Sequence, residues 1–193
     1  MKRSRMSIRA GCLALLVLGL GRFAYADAGV PMLAAVWPAS WVLLIPIIVV
    51  EGWVARKLVG LTFKQGLMAS AAANAFSTFV GLPLTWGLLA GVEIVATRGG
   101  HAYGIRTVWG KILTVTLQAP WLMPYESDLD WMIPAAAIVL LFPFFFMSVF
   151  TERWLFLKIS RCSKELASRW SWVANGVTYS LILIGLVALL VSR

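Results

Sequence analysis

The chain predicts an all-α integral membrane fold: four transmembrane helices, paired as two tandem parallel helical hairpins, behind an N-terminal signal peptide. Three observations carry that prediction. The 193 residues are 61% apolar and 13% charged, with a mean hydropathy of +0.86. A water-soluble domain of this size leaves roughly a third of its unfolded surface exposed, more than these polar residues can cover, so the solvent is lipid. Second, a pattern recurs at a single offset of 101 residues without a gap. Glu51, Trp53, Lys57, Ser70, Ala73 and Asn74 fall on Glu152, Trp154, Lys158, Ser171, Ala174 and Asn175, and Ser77 falls on Thr178. In each copy the glutamate closes one apolar run and the asparagine, 23 residues later, lies early in the next. Third, lysine and arginine gather in the short connection inside each copy.

Residues 1–26 read as a secretory signal. Lys2, Arg3, Arg5 and Arg9 precede an apolar run over residues 11–20, and Ala24-Tyr25-Ala26 supplies a cleavage site before Asp27. The run is short of the ~20 residues a span needs; an uncleaved extra helix is the competing reading. Cleavage leaves 12 basic against 8 acidic residues, a surplus that suits membrane topology. No basic face is interleaved with stacking aromatics, so nucleic acid is not an expected partner. Cys162 is then the one thiol of the mature chain, which excludes an intramolecular disulfide and a cysteine metal cluster.

The first hairpin occupies residues 27–96, with spans placed at 30–54 and 66–90. Trp37 and Trp41 form an outer aromatic belt, and Arg56, Lys57 and Lys64 make the connection basic. Ala69, Ser70, Ala71, Ala72, Ala73 and Ser77 suit close helix packing, and Gly81 and Pro83 bend the second span. Residues 97–130 are the long connection. Ile105, Val108, Trp109, Ile112 and Leu113 recur there at helical spacing, which predicts an amphipathic helix along the interface. Pro120 and Pro124 end it, and Glu126, Asp128 and Asp130 close the loop with acid. The second hairpin, 131–193, has spans at 131–150 and 172–191, with Arg153, Lys158, Arg161, Lys164 and Arg169 between them. The short connections hold 3 and 5 basic residues, the long one 3 and the C-terminus 1. The positive-inside rule then places the long loop and both termini in the periplasm of a bacterial inner membrane. Hairpins pointing the same way are related by an axis along the membrane normal.

The candidate site is an intramembrane polar network of Glu51, Asn74, Ser77, Glu152, Asn175 and Thr178. An ionisable group at the bilayer centre costs roughly 2.5–3.5 kcal/mol even on mild insertion scales, so its presence asks for a reason. One reason is adhesion: a carboxyl meeting an asparagine amide joins two helices at about 0.6–2 kcal/mol per contact. The other is a proton or cation cage of two carboxyls and two amides on a central axis. His101 is the lone histidine and reads as a solvated loop residue. The acidic trio before the third span lacks the glycine and distal glutamate of a calcium loop. With no nucleophile elbow, zinc-helix motif or phosphate loop, neither a metal, a cofactor nor an enzyme is expected.

The span that runs through residues 47–51 to Glu51, followed by Ala73-Asn74 and Ser77, resembles a type of small, uncharacterised bacterial multi-pass inner-membrane protein. It is similar to the cyanobacterial filament-integrity protein FraC. The resemblance implies a multi-pass component of cell–cell junctions and carries no functional residue over. The expected role is structural or accessory: a subunit or assembly partner of a membrane complex. Its expected partners are the lipid bilayer and a membrane protein or a second copy of the chain. The alternative is a small dimeric transporter or channel using Glu51 and Glu152.

Overall fold

The computed structural model describes residues 38–98, 103–118 and 129–192. The signal segment, Trp37, His101, Pro120, Pro124, Glu126 and Asp128 lie outside the described residues. Those described are helical, with no strand: α1 (Pro38–Val59), α2 (Phe63–Phe76), a π-helical turn (Ser77–Gly81) leading into α3 (Leu82–Thr97), α4 (Val108–Leu117), α5 (Leu129–Ser160) and α6 (Lys164–Val191). Among the described residues three helices are long and apolar enough to cross a membrane: the continuous Phe63–Thr97, then Asp130–Ser160 and Lys164–Val191. Only 17%, 22% and 17% of their most apolar stretches is buried inside the protein. Leucine, valine, isoleucine and phenylalanine therefore face outward, while Glu51, Ser70, Asn74, Ser77, Glu152, Ser171, Asn175 and Thr178 are buried. This inverted polarity belongs to a multi-pass membrane protein.

The helices run further than the hydropathy edges suggest, and local backbone signals explain why. The connections shrink to residues 60–62 and 161–163. Gly60 (φ 79°) and Arg161 (φ 52°) both adopt the left-handed conformation, the usual way to end a helix. Thr62 and Ser163 then cap the next helices, accepting from Gln65 N at 3.3 Å and Leu166 N at 3.2 Å. Around Thr62 a capping box closes, with Thr62 N donating to Gln65 Oε1 at 3.0 Å. Arg56, Lys57, Arg153, Lys158 and Arg169 accordingly ride on helix ends, where long stems lie along apolar surface and the charged heads reach water.

Helix α1 packs on α2, α2 on α5, α5 on α6, and α6 back on α1, closing a ring of four. The two sides of the ring are filled differently. Between α1 and α2 the backbones nearly touch: a Cβ placed on Gly66 would sit 2.5 Å from Gly52 O. Ala55 and Ala69 line the same contact, both buried. Between α5 and α6 the equivalent space holds Phe156 and Trp170, stacked with ring centroids 3.8 Å apart. These side chains join Val54, Ala73, Ala167 and Ala174 in one core. Outside the ring, α4 lies against α3 and α5. Its Gly110 and Thr114 turn inward, while Val108 and Trp109 are 76% and 71% exposed.

Gly66→Ala is expected to destabilise the protein by about 1–3 kcal/mol, because the new methyl meets backbone and not a flexible side chain. Gly87→Ala, with open space around it, is expected to be neutral or mildly stabilising. Thermal unfolding of the two variants in the same detergent checks the difference.

Candidate functional site

Helix spacing places the polar residues before any contact is considered. Ser70, Asn74 and Ser77 are four and three residues apart, so they share one face of the Phe63–Thr97 helix. Ser171, Asn175 and Thr178 do the same on α6. Glu51 on α1 and Glu152 on α5 face these rows, each 1% exposed.

Each asparagine serves the glutamate of its own helix pair. Asn74 Nδ2 donates to Glu51 Oε2, and Asn175 Nδ2 donates to Glu152 Oε2 at 2.8 Å. The second amide hydrogen goes to the backbone one turn earlier, Ser70 O and Ser171 O, both at 3.1 Å. This fixes the orientation of each amide. The hydroxyls cross over. Ser77 Oγ lies 2.8 Å from Glu152 Oε1, and Thr178 Oγ1 lies 3.3 Å from Glu51 Oε1. Ser77 Oγ also reaches Asn74 O at 3.1 Å, and Thr178 Oγ1 reaches Asn175 O at 3.3 Å. The six residues therefore close a ring: Glu51, Asn74, Ser77, Glu152, Asn175, Thr178 and back to Glu51. All four carboxyl oxygens have a hydrogen-bond partner, and those partners are hydroxyls and amides.

The two halves differ around this ring. Ser70 Oγ adds a bond to Glu51 Oε2 at 3.0 Å, whereas Ser171 Oγ donates to Val149 O at 2.7 Å. Trp170 Nε1 donates to Glu51 O at 3.1 Å, tying α6 to α1 just below the ring. Position 69, which the 101-residue offset sets opposite Trp170, is alanine. Only the first half has the π turn, which begins at Ser77 and ends at Gly81, before Leu82-Pro83. Pro83 has no N–H to return to the carbonyl of Phe79, and a wider turn is one way a helix absorbs that loss. Beside the turn is a cleft of about 180 Å³, lined by Ser77, Thr78, Gly81, Ser148 and Tyr179 among others. Ser148 Oγ and Tyr179 Oη are bonded at 2.9 Å within it.

Ser70, Trp170, Ser148 and Tyr179 were not among the residues singled out by sequence as site members. Ser70 and Ser171 carried a usable signal, since each sits one turn before an asparagine and obeys the offset. Trp170 carried none. Asp130 lies exposed at the start of α5, away from the ring. Among the described residues no three histidine, cysteine, aspartate or glutamate side chains cluster as metal ligands would.

Trp170→Phe keeps a ring for Phe156 to stack on but removes the N–H bonded to Glu51 O. The expected loss is about 1 kcal/mol, against about 3–5 kcal/mol for Trp170→Ala, both read as shifts in thermal unfolding. No family model, curated protein or solved structure matches this chain.

Proposed function

We propose that the chain is a bacterial inner-membrane protein of structural or accessory type, a subunit or assembly partner of a membrane complex. In this reading the segment ending in α1 is a fourth span, and α1–α2 and α5–α6 are two tandem copies of one hairpin. The repeated left-handed residue and the repeated cap, each 101 residues apart (Gly60 and Arg161, Thr62 and Ser163), support the duplication. The export signal, the cytoplasmic side for the two short connections and the periplasmic side for the long loop with α4 rest on charge and the N-terminal pattern. The exposed Val108 and Trp109 of α4 suit a helix resting in the outer interface.

The observation that carries the structural role is the crossing of the hydrogen bonds. Each carboxyl is gripped by an amide from its own hairpin and a hydroxyl from the other. The polar ring therefore fastens the hairpins together in a solvent where hydrophobic association between helices is absent. An open ligand cage would leave carboxyl oxygens turned toward a cavity; here every one is engaged. A transporter or channel built on the same two glutamates is the second reading, favoured by the cleft beside Ser77. A stable homodimer in mild detergent whose interface encloses the cleft would support transport, and a stable complex with a larger membrane protein would support the accessory role.

Ser77→Ala and Thr178→Val each remove one crossing contact and are expected to cost about 0.6–2 kcal/mol. Both join the same ring, so a double-mutant cycle is expected to give a coupling energy of at least ~0.5 kcal/mol. Single and double variants with wild-type unfolding temperatures would mean that the ring does not hold the hairpins together.

A further inference from the structure

The hydrogens around the ring can be counted, and the count favours one form of the carboxyls. A serine or threonine hydroxyl has one hydrogen to give and two lone pairs to receive. Ser77 Oγ faces two oxygens, Asn74 O at 3.1 Å and Glu152 Oε1 at 2.8 Å. Thr178 Oγ1 faces three: Ala174 O at 3.1 Å, Asn175 O at 3.3 Å and Glu51 Oε1 at 3.3 Å. Neither hydroxyl can donate to all of them. If both carboxyls are ionised, these contacts set oxygens without a hydrogen between them, and two negative charges share a buried site. If both are neutral acids, each contact between a carboxyl and a hydroxyl has its own hydrogen, and the hydroxyl's hydrogen is free for the helix carbonyls, Asn74 O for Ser77 and Ala174 O with Asn175 O for Thr178. The carboxyl Oε1–H donates to the hydroxyl, the hydroxyl donates to a helix carbonyl, and Oε2 accepts from the asparagine amide.

Among the described residues no basic side chain is bonded to either carboxyl, and Lys158 on α5 and Arg161 in the connection after it are exposed. From α1, Arg56 and Lys57 point to solvent at the helix end; Lys64 on α2 and Lys164 and Arg169 on α6 are likewise exposed. Arg153 on α5 is half-buried and lies within electrostatic reach of exposed Glu165. Tyr179 on α6, bonded to Ser148, lies within electrostatic reach of both carboxyls and is neutral as a phenol. A buried charge without a counter-charge takes up a proton instead.

We propose that Glu51 and Glu152 form a proton-binding pair, each holding one proton between its Oε1 and the hydroxyl of the opposite hairpin, Thr178 or Ser77. The proposal rests on the reading of the ring as the fastening between hairpins, and it makes that fastening a protonated one. Uptake forms the Oε1–H bond with a proton given by hydronium, leaving water; release passes the proton to hydroxide or water and leaves a carboxylate. The cleft supplies a route for the Glu152 proton, because Ser77 is both its hydrogen-bond partner and part of the cleft wall. Deprotonation turns each Oε1···hydroxyl contact into a competition for one hydrogen and sets two negative charges in one buried ring, on α1 and α5, so the hairpins part on the cleft side.

Infrared spectroscopy of the full-length protein in lipid nanodiscs tests this directly, because the C=O stretch of a carboxylic acid is resolved from carboxylate bands. At neutral pH the wild type should show acid carbonyl bands, and Glu51→Gln and Glu152→Gln should each remove about half of that intensity. Glutamine copies a neutral acid, accepting through its oxygen and donating through its amide, so both variants should stay folded. Acid bands absent from the wild type at neutral pH, or replaced by carboxylate bands on adding sodium, overturn the proposal in favour of ionised groups or a cation site. The pH dependence of unfolding gives a second readout. The folded state binds protons that unfolded carboxyls release in their ordinary range, so stability is complete at acid pH and is lost as pH rises. The wild-type unfolding temperature should fall toward alkaline pH and that of the double Gln variant should not; a wild-type temperature that is flat or rises with pH overturns the proposal. Loss of the fastening itself is judged separately by Ser77→Ala and Thr178→Val, which test adhesion whatever the proton does.

Discussion

A carboxyl group inside hydrocarbon must find a partner on a neighbouring helix, and most of this architecture follows from satisfying two of them. The partner has to arrive at the right height. The turn centred on Leu61 lies ten residues beyond Glu51, and Ser70 and Asn74 lie nine and thirteen beyond the turn. At 1.5 Å per residue these two bracket the level of the glutamate, and both bond its Oε2. A loop longer by a few residues would slide the serine and asparagine past the carboxyl. The three-residue connection, with its left-handed end and its N-cap, is thus part of the site although it lies far from it.

The second constraint is that the two pairs must meet. A hydroxyl three residues beyond each asparagine shares its helix face, but the bundle's closure aims it at the glutamate of the other pair. This is the arrangement a two-fold axis produces: whatever Ser77 does for Glu152, Thr178 does for Glu51. The symmetry is approximate, and its departures are where stability is added. Phe156 and Trp170 fill the space that Ala55 and Ala69 leave closed by direct backbone approach. Trp170 then reaches across to the carbonyl of Glu51. One half gains its grip from closeness, the other from a large aromatic pair.

The polar pairs were legible in the sequence because glutamate and asparagine are rare in apolar runs, and the same offset linked them to Ser77 and Thr178. Helix ends were not. Hydropathy places an edge where charge begins, as at Arg153, yet α5 continues to Ser160, because basic side chains extend to water without breaking a helix. Caps and the left-handed residue decide the end, and Thr62 with Gln65 or Ser163 before Lys164 could have been read as such. The crossing of the hydroxyls was beyond sequence. Each glutamate is 23 residues from its asparagine and 26 from the hydroxyl of its own pair, but the hydroxyl it meets is 127 residues away for Glu51 and 75 for Glu152, and nothing local says which of them it meets. Trp170 was invisible for a simpler reason: tryptophan near a membrane edge is ordinarily an anchor, and only packing against Phe156 turns it inward.

The π turn is the departure with the widest reach. It begins at Ser77, whose hydroxyl still reaches Glu152 Oε1, and it displaces the residues that come after. The helix continues as α3 toward α4, and the cleft opens at the displaced turn. The equivalent stretch of the other half, Ile182-Leu183-Ile184, stays α-helical and carries no proline. Two nearly equivalent carboxyls are thereby made unequal. Glu152 bonds a hydroxyl in the wall of a cleft, whereas Glu51 accepts an additional bond from Ser70 and has Trp170 on its backbone. A fastening built on two carboxyls, with one side opened and the other reinforced, can yield on one side while remaining closed on the other.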